Sequence, residues 1–204
     1  MSGDPTNDKP IIGLIGGIGA GKTTLSHEMA EHGGLVINAD VHAREAIEDD
    51  DVKQQLREVF GDEVITSDGE VNRGRLADLI FENQRNRQIV ESLVHPKVAA
   101  RRQKMIAQAQ ADPDVKFIVL DVPLLFEVRL NEQCDHVVFV DTSRERRLQR
   151  LSDRRGWTDS ELERREKNQM PLDRKREMAD HVIDNNASEA DAQRQVRDVL
   201  ARIL

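Results

Sequence analysis

The chain has 204 residues, 38% hydrophobic and 33% charged, enough for one core with excursions from it. Its formal net charge of −8 argues against general binding to nucleic acid or to an anionic membrane, since both need a cationic field. A lone cysteine, Cys134, excludes an internal disulfide and reads as a small buried apolar residue in a reducing cytosol.

The first ten residues, M-S-G-D-P-T-N-D-K-P, lack the basic start and apolar stretch of a secretory signal, and no apolar run approaches the ~18 residues of a membrane span. The expectation is a cytoplasmic chain with a disordered N-terminus over residues 1–10. Next comes I-I-G-L-I (11–15), a predicted strand, followed by Gly16, Gly17, Gly19, Ala20, Gly21, Lys22, Thr23 and Thr24, which fill and follow a G-x-x-x-x-G-K-[ST] pattern. A predicted helix over residues 24–32 closes the unit. Glycines there free successive N–H groups to converge on phosphate oxygens at a helix N-terminus. Lys22 is then placed to reach the β and γ phosphates of a nucleoside triphosphate, and the Thr23 hydroxyl to ligate Mg²⁺. The competing reading is a glycine-rich turn with no ligand.

The second predicted strand, L-V-I-N-A (35–39), leads to Asp40. This residue reads equally as the cap of a helix beginning at Val41 or as a carboxylate at the edge of the sheet where ligands bind. Residues 41–115 are rich in helix formers, with a turn at Ser67-Asp68-Gly69 and a break at His95-Pro96, and form a helical insert. Further apolar runs at 117–121, 136–140 and 181–184 complete a parallel sheet of about five strands, with helices predicted over 145–154 and 189–204. Asp121, closing F-I-V-L-D, is either a metal carboxylate or a turn residue. Residues 144–176 carry twelve Lys and Arg against seven Asp and Glu, a basic segment in an acidic chain. Arg147, Arg150 and Arg154 lie on its predicted helix, as cations closing over a phosphoryl group or as a solvated face.

No N-K-x-D occurs, and the one D-x-x-G, Asp153 to Gly156, falls in the basic segment, which argues against a regulatory GTPase. Phosphoryl transfer to a small acceptor remains, with a non-enzymatic nucleotide-dependent binding module as the other class.

Taken in order, G-L-I-G-G-I-G-A-G-K-T-T, N-A-D-V-H-A-R-E, G-E-V-N-R, L-V-H-P, D-V-P-L-L-F-E and A-D-H-V-I-D-N resemble the dephospho-CoA kinase family over residues 11–185. The resemblance implies an α/β, three-layer P-loop NTPase fold with a helical substrate-binding insert and a helical lid. It implies ATP and Mg²⁺ as cofactors, dephospho-CoA as the small-molecule partner, and transfer of the γ-phosphoryl group to the ribose 3′-hydroxyl, the last step of coenzyme A biosynthesis. The nucleotide-binding core would comprise 11–45, 114–143 and 177–204, the CoA-binding insert 46–113 and the lid 144–176. Asp40 matches the family's acceptor-activating aspartate, whereas Asn38 stands where the family has another aspartate. Arg150 and Arg154 match the lid arginines, Arg165 and Gln169 a following R-x-x-x-Q element. Arg73 and His95 match acceptor-site positions, although His95 before Pro96 also reads as a helix terminator. A nucleoside monophosphate kinase is the alternative within the enzyme class, and oligomeric state is not readable from the sequence.

Overall fold

The computed structural model describes residues 9–204, so the expected disorder of residues 1–8 lies outside the described residues. Lys9 and Pro10 are tied in: the Lys9 N–H donates to Gln110 Oε1 at 2.7 Å, and the Pro10 carbonyl accepts from the Ile118 N–H at 2.9 Å. The chain divides into two compact units, one of residues 9–37 with 108–204 and one of residues 38–107.

The larger unit is built on a five-stranded parallel sheet in which β1 (Ile11–Gly16) is central. Strand order is β2 (Gly34–Asn38), β3 (Phe117–Asp121), β1, β4 (His136–Asp141), β5 (His181–Asp184). Register pairs Leu14 with Asp121 on one side and Gly16 with Val140 on the other. The strands read as unbroken apolar runs because both sheet faces are buried. Ile12, Leu14, Val119 and Val138 share one core with Leu25 and Met29 of α1 (Lys22–Glu31) and with Val196 and Leu200 of α9 (Glu189–Ile203). On the opposite face Ile15, Leu120 and Phe139 are also buried, and a Cβ at Gly13 would lie 2.6 Å from Leu125. Cys134 is half-buried, and its Sγ donates to the Leu130 carbonyl.

Strand β2 ends one residue earlier than the composition suggests, and α2 (Ala39–Ala46) starts at once. The basic segment folds as α6 (Arg144–Arg155), α7 (Asp159–Glu166) and α8 (Leu172–Glu177), all in the larger unit. Each of the first two has a hydroxyl cap, Ser143 on the Arg146 N–H and Thr158 on the Glu161 N–H.

Lys175 of α8 is 1% exposed and pairs with Glu127 at 2.9 Å. Burial pushes the Glu127 carboxyl up, but the Lys175 hydrogen bond, the Met170 N–H and the lysine charge together hold it below its ordinary range. Lys175→Met should therefore destabilise by about 1–2 kcal/mol, less than the loss of a fully buried pair, because Glu127 is an exposed residue whose carboxylate water can screen. Adding Glu127→Gln should restore much of the loss. Because the folded pKa is lowered, the pair's contribution is present above the unfolded carboxylate pKa and lost as pH falls through the folded value. Denaturant titrations across the acid range check both effects.

The second unit is helical: α2, α3 (Asp50–Phe60), α4 (Arg73–Glu82) and most of α5 (Gln84–Ala111) enclose Val52, Leu56, Leu76, Val90 and Val94. The Ser67-Asp68-Gly69 turn joins an antiparallel bridge between Ile65 and Val71, with Gly69 at φ 80°. The expected break at His95-Pro96 is absent, for α5 continues through Pro96. An interior proline costs roughly 3 kcal/mol, and here burial of Val90 and Val94 just before it, with Val98 packed on the same core, offsets that cost. Among the described residues no helix is long and apolar enough to cross a membrane.

Candidate active site

Strands β2 and β3 lie on one side of β1 and β4 and β5 on the other, so the loop after β1 leaves the sheet where the strand order switches sides, the usual ligand crevice of such sheets. The loop runs from Gly16 to Thr23. Gly19 and Gly21 sit at φ 79° and 95°, which a side chain would resist. Gly21 caps α1 with no side-chain hydrogen bond, so the first-turn N–H groups, which have no acceptor within the helix, are left to an anion. Gly17 and Ala20 are buried, while Thr23 and Thr24 are exposed on the first turn. The Lys22 ammonium bends back along the loop and donates to the Gly16 carbonyl at 3.1 Å and that of Gly17 at 3.5 Å. Such a cradle fits a polyphosphate.

Helix α6 lies against the outside of this loop. Arg150 Nη1 donates to the carbonyls of Ala20 at 3.0 Å and Gly19 at 3.5 Å. Burial, and then the charges of Arg146 and Arg154, pull its guanidinium below the ordinary value, a penalty that an arriving anion would relieve. Arg154 is exposed. Arg147, read from sequence as a closing cation or a solvated side chain, is neither: it is 4% exposed. Its Nε donates to the Thr142 carbonyl and its Nη1 to that of Ile18, both at 3.2 Å, and it pairs with Glu166. A Cβ on Gly17 would lie 2.8 Å from this guanidinium, so the glycine makes its room. Arg147 is thus a prop beneath the loop. Helical spacing signals this, since Arg147 stands four residues before the buried Leu151 and shares its stripe.

Asp121 closes β3 and is 3% exposed. Arg165 holds Glu161 at 2.6 Å and lays its guanidinium 4.3 Å from the Trp157 ring centre, while Gln169 accepts from Lys175.

In the helical unit the cap of α2 is Asn38, whose side chain accepts from the Val41 N–H at 3.1 Å. Asp40 is therefore not a cap. It occupies the first turn, exposed, because the helix starts two residues before the position that local propensity suggests. Arg73 and His95 both line a groove of about 400 Å³ with Ala43, Leu76, Ile80 and Val94. Arg73 also holds Glu48 at 3.1 Å and the Arg44 carbonyl at 3.3 Å.

Residues 10–191 match the sequence profile of the dephospho-CoA kinase family. The chain belongs to that family. A dephospho-CoA kinase of Thermobifida fusca is 36% identical over 191 residues, covering 92% of this chain and 93% of the relative. Among solved structures, a Thermus thermophilus protein superposes with a TM-score of 0.80 at 30% identity, covering 96% of this chain and 98% of its own. The dephospho-CoA kinase of Campylobacter jejuni has a TM-score of 0.69 at 23% identity, over 96% of this chain and 97% of that one, and shares the P-loop kinase fold. Asn38, expected from the resemblance to stand in place of an aspartate, caps α2, a task Asn and Asp perform about equally.

Proposed function

We propose that this chain transfers the γ-phosphoryl group of ATP to the 3′-hydroxyl of the dephospho-CoA ribose, giving coenzyme A and ADP in the last step of CoA biosynthesis. The observation that carries the proposal is the glycine loop opening on a helix N-terminus that has no side-chain cap, with Lys22 and Arg150 against it, in a chain whose family acts on this acceptor.

In this reading the N–H groups of Gly19 and of Gly21 to Thr24 hold the phosphate chain, that of Ala20 being taken by the Gly17 carbonyl at 3.0 Å, and Lys22 neutralises charge on the β and γ groups. Asp40 accepts the proton of the 3′-hydroxyl as the O3′–P bond forms and the bond from phosphorus to the β,γ-bridging oxygen breaks, leaving ADP. Exposure in the first turn of α2 leaves its carboxylate available for that contact. Arg73 and His95 bind the acceptor in a groove whose apolar lining suits the aliphatic part of such a molecule and whose basic rim suits its phosphates. Thr23 and Asp121 supply hard oxygens of the kind Mg²⁺ takes alongside substrate phosphates. A bound Mg²⁺ would neutralise charge on the β and γ phosphates. The reaction is placed in the cytoplasm.

ADP release that depends on added dephospho-CoA tests the proposal. A binding module that uses ATP only to order a segment would release none.

Arg150 and Arg154 are assigned to the phosphoryl group as residues 144–176 close. Arg150→Ala and Arg154→Ala should each lower kcat more than they weaken ATP binding, because cations that act after closure stabilise the transition state over the ground state. Arg150→Ala should also weaken ATP somewhat, as it already touches the loop. Parallel calorimetry and turnover measurements separate the two. Wild-type turnover in both variants would remove Arg150 and Arg154 from the phosphoryl-transfer step.

A further inference from the structure

A loop that turns its N–H groups toward phosphate turns its carbonyls outward, and those need donors of their own. The Ala20 carbonyl accepts three hydrogen bonds, from Asn185 Nδ2 at 2.7 Å, Thr142 Oγ1 at 2.8 Å and Arg150 Nη1 at 3.0 Å. The donors come from three elements: Thr142 directly follows β4 and is 6% exposed, Asn185 directly follows β5, and Arg150 belongs to α6. The peptide unit that carries this carbonyl also carries the N–H of Gly21, the cap of α1. Hydrogen bonds accepted at one end of a peptide polarise the other end, a strengthening of about 10–30% per bond. They also fix the plane of the peptide. Space is matched to the clamp, for a Cβ on Gly21 would lie 2.7 Å from Asn185 Nδ2.

We propose that Thr142 and Asn185 are positioning residues of the nucleotide site, which hold the Ala20 carbonyl outward so that the Gly21 N–H faces the phosphate chain. The inference rests on the reading of the Gly16 to Thr23 loop as the ATP site. Neither side chain is assigned a contact with phosphate, and both act through the 20–21 peptide. In the sequence Asn185 shows only as the last residue of A-D-H-V-I-D-N and Thr142 lies outside every quoted block, and neither carries a sign that it donates to a backbone carbonyl.

Calorimetric titration of ATP into the full chain tests this, with Thr142→Val, Thr142→Ser, Asn185→Ala and Asn185→Asp beside the wild type. Valine keeps the shape of threonine without its hydroxyl, and aspartate keeps that of asparagine with acceptors only. Thr142→Val, Asn185→Ala and Asn185→Asp should each weaken ATP by about 3–10-fold, the worth of one hydrogen bond. Thr142→Ser should bind like wild type, the KM for dephospho-CoA should not move, and melting temperatures without nucleotide should stay within a few degrees. Unchanged ATP affinity in Thr142→Val and Asn185→Ala overturns the proposal. So does a loss in Thr142→Ser equal to that in Thr142→Val, or a loss that tracks melting temperature without nucleotide. Should Thr142→Val fail to fold, the two Asn185 variants, at a half-buried position, decide alone. A wild-type protein that binds no ATP would instead sink the nucleotide-site reading itself.

Discussion

Lys22→Met should lower turnover by about 10²–10³-fold, the usual cost of losing one preorganised electrostatic contact to the reacting group. The fold should survive. Methionine retains the length and apolar stem of lysine, and what is lost is an ammonium that bends over the loop toward the Gly16 and Gly17 carbonyls rather than a packed core group. Phosphate oxygens are stronger partners for an ammonium than those carbonyls, so on the proposed reading bound polyphosphate should draw Lys22 to itself. Lys22→Arg should rescue little, because a planar fork on a shorter stem does not place a point charge at the same spot. The check is ADP release beside a melting curve. A folded Lys22→Met protein with normal turnover contradicts the assignment of the loop.

Asp40→Asn should lower kcat by about 10²-fold or more, the scale of a positioned acid–base group, with the KM for dephospho-CoA little altered. The structure sharpens this test. With Asn38 as the cap, Asp40 contributes to α2 only through its charge near the helix N-terminus, worth about 0.3–1 kcal/mol. A small fall in melting temperature is therefore expected, too little to explain a hundredfold loss of rate. Asn38→Asp should leave the fold intact, because either residue accepts from the Val41 N–H. Full activity in Asp40→Asn would move the base elsewhere, with Asp121 the next carboxylate to test.

Much of this architecture is legible in the sequence for a physical reason. Strands covered on both faces show as runs such as F-I-V-L-D, and the glycine pattern of the loop is needed by its backbone, where Gly19 and Gly21 take left-handed conformations. What escapes sequence reasoning is decided by contacts distant in the chain. Asn38 and Asp40 are equally good caps locally, and the tie is broken by where β2 stops. Pro96 is a helix breaker by propensity, yet the packing of Val90 and Val94 carries α5 through it. Arg147 looks like one more surface arginine until Gly17, Ile18, Thr142 and Glu166 are brought around it by the fold. Arg73 and His95, 22 positions apart in sequence, share a groove only because α4 and α5 pack together.

The most direct test of the central claim is a phosphoryl-transfer assay in which dephospho-CoA, AMP, CMP and adenosine compete as acceptors for ATP, with the product identified by phosphorus NMR. The account predicts ADP release dependent on dephospho-CoA and a new monoester at the ribose 3′ position, with the other acceptors turned over poorly. Efficient phosphorylation of AMP or CMP, with dephospho-CoA left unchanged, would contradict it.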